Sequence, residues 1–283
     1  MSPEILSGTE IEKGFQKALE NREFSVWYQP QVDMRTGGIR GAEALVRWQT
    51  KNGEMIPPDL FVPALEKKGL MPLLDEEVLR IVCGDIRDAK QRKVSFCPVS
   101  VNLSRMHAGR REIMGVFREI TEEYGIGKGE LSFEITETAA GPEDGGDDGM
   151  SRLVRYLRKK GFQIAMDDYG MGSSTLKLLH EIRFDILKLD RFFVSRIGDP
   201  KADVILASTI AMAKELGLEV VAEGVENRKQ TQFLLQHGCC IAQGYYYSRP
   251  LTKEMYLIQR RNPEAGYVPF RENDRTGCGE EMI

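Results

Sequence analysis

Six short apolar or alternating runs recur along the chain, at residues 96–103, 131–136, 162–167, 184–189, 220–225 and 239–246. Stretches of helical periodicity fall before and between them, at 59–67, 73–91, 110–123, 149–160, 174–181, 201–216 and 227–236. Strands that alternate with helices pair in parallel, because each helix carries the chain back across the sheet in a right-handed sense. A β-hairpin precedes them: residues 24–32, a turn at Thr36-Gly37-Gly38, then residues 39–48. Ahead of the hairpin, residues 11–20 set Ile11, Phe15 and Leu19 on one helical face. Six β-α repeats and a hairpin make eight strands, which predicts an α/β fold, a modified TIM (β/α)8 barrel with an unusual start. A doubly wound open sheet is the competing arrangement, but no G-x-G-x-x-G follows a strand.

The chain has 283 residues and is 41% hydrophobic, enough for one large core without staples. Cys83, Cys97, Cys239, Cys240 and Cys278 form an odd set with no C-x-x-C pair, so a disulfide framework or zinc clip is not expected. The net charge of −4 gives no footprint for DNA. No apolar run reaches the ~20 residues of a membrane span, and the first ten residues lack a signal-peptide pattern. A cytoplasmic protein is expected, with a lead at 1–10, one domain at 11–262 and a polar tail at 263–283.

Glu43, Glu134, Asp167, Asp168 and Glu223 each lie at or just past the C-terminal end of an apolar run, and Lys188 ends another. A parallel barrel gathers these strand ends around one mouth. Taken singly, each has a bland reading. A strand glutamate usually faces solvent, Asp167-Asp168 suits a turn or a helix cap, and Lys188 could pair with Asp190, two residues on along the same strand face. Asn102 could cap a strand end or offer a neutral oxygen to a hard cation. Their joint placement is what carries weight. Carboxylates crowded into a low-dielectric cleft need cations to neutralise them. Carboxylate and amide oxygens suit Mg²⁺ or Mn²⁺ rather than zinc or copper. His107, His180 and His237 form no pair at ligand spacing, and neither a G-x-S-x-G elbow nor a P-loop is present. Such a site suits in-line attack of water on a phosphodiester.

The residues also match a known family. Glu43-Ala44-Leu45-Val46-Arg47-Trp48 resembles the signature of EAL domains, phosphodiesterases specific for cyclic di-GMP. Tyr28-Gln29-Pro30, Val101-Asn102-Leu103-Ser104, Glu134-Ile135-Thr136-Glu137, Asp167-Asp168, Asp185-Ile186-Leu187-Lys188-Leu189-Asp190, Ala222-Glu223-Gly224-Val225-Glu226 and Gln243-Gly244-Tyr245 follow in the family's order, over about residues 11–260. The resemblance implies a barrel whose first strand is antiparallel, two divalent cations (Mg²⁺ or Mn²⁺), hydrolysis of cyclic di-GMP to linear pGpG, and a homodimer. It implies that Glu43, Asn102, Glu134 and Asp167 bind one cation, and that Asp167, Asp168 and Glu223 serve the second. Lys188 would contact the attacking water and Gln243 help to position it. Arg47 would reach a substrate phosphate and Gln29 a guanine. Glu137 would anchor the loop after Asp168, and Asp190 and Glu226 would support the ligands.

One segment departs from the family pattern D-D-F-G-T-G-Y-S-S: here it reads Asp167-Asp168-Tyr169-Gly170-Met171-Gly172-Ser173-Ser174-Thr175. The change motivates an alternative, a receptor that holds cyclic di-GMP or a partner protein with little turnover. Gly145-Gly146-Asp147-Asp148 has the look of a cyclase signature, but it sits in an acidic loop without the flanking apolar strands.

Overall fold

The computed structural model describes residues 8–96, 98–107, 112–136, 149–170 and 175–261. Helix α1 (Gly8–Glu20) leads into the expected hairpin of β1 (Phe24–Asp33) and β2 (Ile39–Gln49). The turn closes where Gly37, at φ +73°, donates its N–H to Asp33 O at 2.8 Å. A short β3 (Met55–Ile56) pairs with the end of β2, and α2 (Pro58–Lys67) and α3 (Met71–Gln91) follow. The alternating units are β4 (Val99–Asn102) and α4 (Ile113–Glu123), β5 (Leu131–Thr136) and α5 (Gly149–Lys159), then β6 (Gln163–Tyr169) and α6 (Thr175–Glu181). They continue with β7 (Ile186–Leu189), α7 (Arg191–Val194) and α8 (Pro200–Glu215), then β8 (Glu219–Ala222), α9 (Arg228–His237), β9 (Ile241–Ala242) and α10 (Lys253–Arg261).

The strand order β1-β9-β8-β7-β6-β5-β4-β2 closes through β1–β2, so eight strands form a barrel with β3 outside it. β1 is antiparallel to both its neighbours, and the remaining barrel pairings are parallel. Both features match expectation. Local chemistry sets the helix ends. Asp199 accepts the N–H groups of Lys201 and Ala202 ahead of α8, with Pro200 at the first helical position. Asn227 and Gln230 form a capping box on α9, which stops at Gly238 in the left-handed region.

Period two decides which side chains face the barrel axis. Val99 and Val101, Leu131, Phe133 and Ile135, Ile164 and Met166, and Leu187 and Leu189 are buried on the helix-facing side. The opposite face carries Ser100 and Asn102, Ser132 and Glu134, Ala165 and Asp167, and Lys188. Small residues at positions 100, 132 and 165 leave room for the long side chains of Glu134 and Lys188.

Four strands are shorter than the apolar runs suggest: 96–103 shrinks to Val99–Asn102, 184–189 to Ile186–Leu189, 220–225 to Glu219–Ala222 and 239–246 to Ile241–Ala242. Past β8 and β9 the two segments bond to each other outside the ladder. Val225 donates to Gln243 O at 3.1 Å, and Tyr246 to Val225 O at 3.0 Å. A Cβ on Gly244 would run into the Val225 backbone, so this crossing requires glycine. Helix α10 has no counterpart among the expected elements. It buries Tyr256 and Leu257 but leaves Met255 and Ile258 exposed, which blurs its apolar stripe. Tertiary contacts hold it: Tyr256 packs on Tyr28 with ring centroids 5.6 Å apart, and Lys253 pairs with Asp85 at 2.8 Å and Asp88 at 3.0 Å.

Candidate active site

The strand registers bring the expected acids together. Gln29 on β1 lies opposite Glu43 on β2, Asn102 opposite Glu134, and Thr136 opposite Asp167. Lys188 projects into their midst from β7. Its Nζ stands 2.6 Å from Glu134, 2.7 Å from Glu223, 3.0 Å from Asp167 and 3.5 Å from Glu43. The pairing with Asp190 weighed from sequence is replaced by these four contacts. Asp190 instead caps α7, accepting the Phe192 N–H at 2.8 Å.

Adjacent residues on a strand normally point to opposite faces, so Asp167 and Asp168 cannot both serve one site without a device. The device is a β-bulge. Between Met166 and Tyr169 the β6–β7 register slips by a residue, and Asp168 sits at φ +53°. A bulge re-aims side chains at the rim of a barrel. A non-glycine residue in the left-handed region costs of order 1 kcal/mol or more.

An amide network borders the acids. Gln243 Nε2 donates to Glu43 at 2.5 Å and to Gln29 at 3.2 Å, while Gln31 donates to Gln243 Oε1 at 3.2 Å. Asn102 Nδ2 lies 3.4 Å from Glu43, and Gln29 donates to Ser248 O at 3.3 Å. Gln31 was not singled out from sequence. The signal for it is period two: Gln29 and Gln31 are polar residues two apart on a strand whose neighbours are buried.

Arg47 lies at the edge, where a cavity of about 520 Å³ is lined by Arg47, Val62, Leu74, Asp75, Asn102 and Arg105 among others. Its guanidinium donates to Val46 O at 2.8 Å and faces the Trp27 ring, and burial lowers its pKa. Asp75, also unanticipated, accepts the Ser104 N–H at 2.9 Å and contacts His107 Nε2 at 2.8 Å, fastening the segment after Asn102. Glu226 is exposed, and its N–H donates to Gln230 Oε1 at 2.7 Å. Glu137 and residues 171–174 lie outside the described residues, as do the acidic loop and the polar tail.

One ammonium cannot neutralise so many acids. Burial pushes Glu134 well above the usual carboxylate range despite Lys188, and pushes Glu223 up to about 8. Burial and then the neighbouring Asp167 raise Asp168 to about 6. The surrounding carboxylates hold the Lys188 ammonium well above its ordinary value, against the opposing effect of burial. A carboxyl whose value is raised on folding binds its proton more tightly in the folded chain. Stability from Glu223 and Asp168 is therefore fully present below their ordinary values of 4.5 and 3.8 and declines as pH rises toward 8. The expected outcome in chelator is a melting temperature that falls from about pH 5 to about pH 8. Saturating Mn²⁺ should offset that fall, because its ligands bind deprotonated. A flat profile in chelator would contradict the proton-hungry cluster.

The donor set fits divalent cations. Five carboxylates, Glu43, Glu134, Asp167, Asp168 and Glu223, against Lys188 leave four negative charges when ionised, which two divalent ions offset. The donors are hard oxygens, and the buried Glu134 Oε1 has no hydrogen-bond partner. Among the described residues no three acids, histidines or cysteines are already arranged as a cation cage. Instead, four of the five acids surround the Lys188 ammonium.

Comparison with known proteins accords with the geometry. The family model described as "EAL domain" matches residues 12–250. The chain is 35% identical over 244 residues to the probable cyclic di-GMP phosphodiesterase PdeB of Escherichia coli K12, covering 86% of this chain and 45% of the relative. It is 34% identical over 246 residues to the cyclic di-GMP phosphodiesterase RocR of Pseudomonas aeruginosa PAO1, covering 85% and 61%. The chain thus spans less than two thirds of either relative. Among solved structures, the PaMucR phosphodiesterase in complex with c-di-GMP superposes with a TM-score of 0.79 at 30% identity, covering 87% of this chain and 99% of that one. A closed barrel with one antiparallel strand, acids gathered at its mouth and a family match over most of its length make this chain a member of the EAL domain family.

Proposed function

We propose that this chain is a metal-dependent phosphodiesterase that hydrolyses cyclic di-GMP to linear pGpG. The observation that carries the reading is the convergence of Glu43, Glu134, Asp167 and Glu223 on Lys188 at the barrel mouth. In this reading Glu43, Asn102, Glu134 and Asp167 hold one divalent cation, and Asp167, Asp168 and Glu223 hold the second, either Mg²⁺ or Mn²⁺. When bound, the cations supply Lewis acidity, neutralising the phosphodiester and lowering the pKa of the attacking water.

The chain's own groups do the rest. Lys188 is fixed among the acids and directs an N–H at the attacking water, keeping a positive charge where anionic character develops. Gln243, held by Glu43, Gln29 and Gln31, orients that water from the other side. Arg47 offers a fork of donors to a phosphate oxygen, and its partial burial strengthens that contact. Gln29 presents its amide to a guanine edge, and the neighbouring cavity gives the dinucleotide space beside the acids.

A cytoplasmic setting and a homodimer belong to the same proposal. Among the described residues no helix is long and apolar enough to cross a membrane. Leu176, Phe192, Val204 and Ile205 expose apolar surface that a second copy could cover. The test is product analysis of cyclic di-GMP incubated with the protein in Mg²⁺, in Mn²⁺ and in chelator. Cation-dependent pGpG is the expected result. Intact nucleotide together with measurable binding would overturn the hydrolase and leave a receptor.

A further inference from the structure

Helix α7 is a single turn, yet it is seated from three directions. Asp190 caps its start, Val194 is fully buried, and α9 reaches over to hold its end through Gln230 Nε2, which donates to Val194 O at 3.1 Å. From this seat two neighbouring residues press on two different loops of the mouth. The Phe193 ring lies directly over Gly170: a Cβ there would stand 2.7 Å from its Cε2 and 3.0 Å from its Cζ. Arg191 lies against Gly224 just as closely, its own Cβ in the space a side chain would need. Both glycines are in the left-handed region, at φ +95° and +65°. Gly170 follows two residues after Asp168, and Gly224 directly follows Glu223.

The short turn after β7 therefore touches the backbone beside Asp168 and Glu223, two of the three acids assigned to the second cation, without contributing a ligand itself. Asp168 needs such support. Its own backbone is in an unfavourable region, and such a conformation persists only where its surroundings over-determine it. We propose that α7 sets the spacing of the second cation site, with Phe193 as a positioning residue for Asp168 and Arg191 for Glu223, an inference that rests on the two-cation reading above. Through Asp190 the same element continues directly from Lys188, so the lysine and both loops share one rigid support.

The test is Mn²⁺ binding to the full chain, by calorimetry and by electron paramagnetic resonance, for wild type, Phe193→Leu and Phe193→Ala. The wild type is expected to bind two ions with spin coupling between them. Phe193→Ala should keep one ion at near wild-type affinity and bind the other at least tenfold more weakly, about 1.4 kcal/mol, with the coupling lost. Phe193→Leu, which keeps most of the apolar volume, should fall between and serves if the alanine variant does not fold. Equal weakening of both ions, the mark of a merely structural residue, overturns the proposal, as does no change in either. A wild type that binds two ions leaves the two-cation reading standing whichever way the variants fall. A wild type that binds none removes both.

Discussion

In Lys188→Ala the expected result is a loss of about 10³-fold in the rate of pGpG formation at saturating Mn²⁺, roughly 4 kcal/mol, with cyclic di-GMP affinity changed by less than about tenfold. The split follows from where the side chain sits. Lys188 is 1% exposed and is surrounded by acids, whereas Arg47 lines the adjoining cavity. A group in that position acts on charge that develops during attack and contributes little to ground-state recognition. Rates from single turnover, paired with calorimetric binding of the nucleotide, check it. Equal loss of turnover and binding would show that Lys188 holds the pocket together instead.

Glu43→Gln should reduce turnover by at least about 10³-fold through a different route, loss of a cation ligand. The neutral amide keeps the shape of Glu43 and can still accept the Gln243 hydrogen bond, now 2.5 Å long. What disappears is one of the charges that a hard cation requires. The measurable signature is weaker Mn²⁺ binding with a melting temperature in chelator that is unchanged or raised. Chelator stability should not fall, because removing a charge from an over-acidic cluster relieves repulsion. A variant with wild-type cation affinity and turnover would remove Glu43 from the ligand set.

Much of the barrel was legible because its rules are local. Residues 131–136 read as a strand and form β5 with the same limits, since Leu131, Phe133 and Ile135 alternate with polar neighbours. The hairpin was legible from its glycine turn. Strand ends were less so: apolar residues beyond β8 and β9 are buried through the Val225–Gln243 crossing, and burial alone does not distinguish a ladder from a crossing. Helix α10 was hidden because Met255 and Ile258 are exposed and blur its apolar stripe, while Tyr256, Leu257 and the Lys253 ion pairs dock it.

Within the site, the sequence pattern named the acids and the lysine, because ionisable groups at strand ends are costly unless they have a task; Gln29 and Gln243 came from the family resemblance, and Gln31 was not named. The pattern could not say what Lys188 touches. Glu43, Glu134, Asp167 and Glu223 are 145, 54, 21 and 35 positions away along the chain, and only barrel closure makes them neighbours. Nor could it foresee that a bulge interrupts the β6–β7 ladder at Asp168, or that Asp190 serves a helix cap. Residue type and period-two spacing, properties of a few adjacent residues, determined the strands and which side chains face inward. Strand register, the bulge and the seat of α7 were decided only by the tertiary structure, because each depends on segments that meet when the barrel closes.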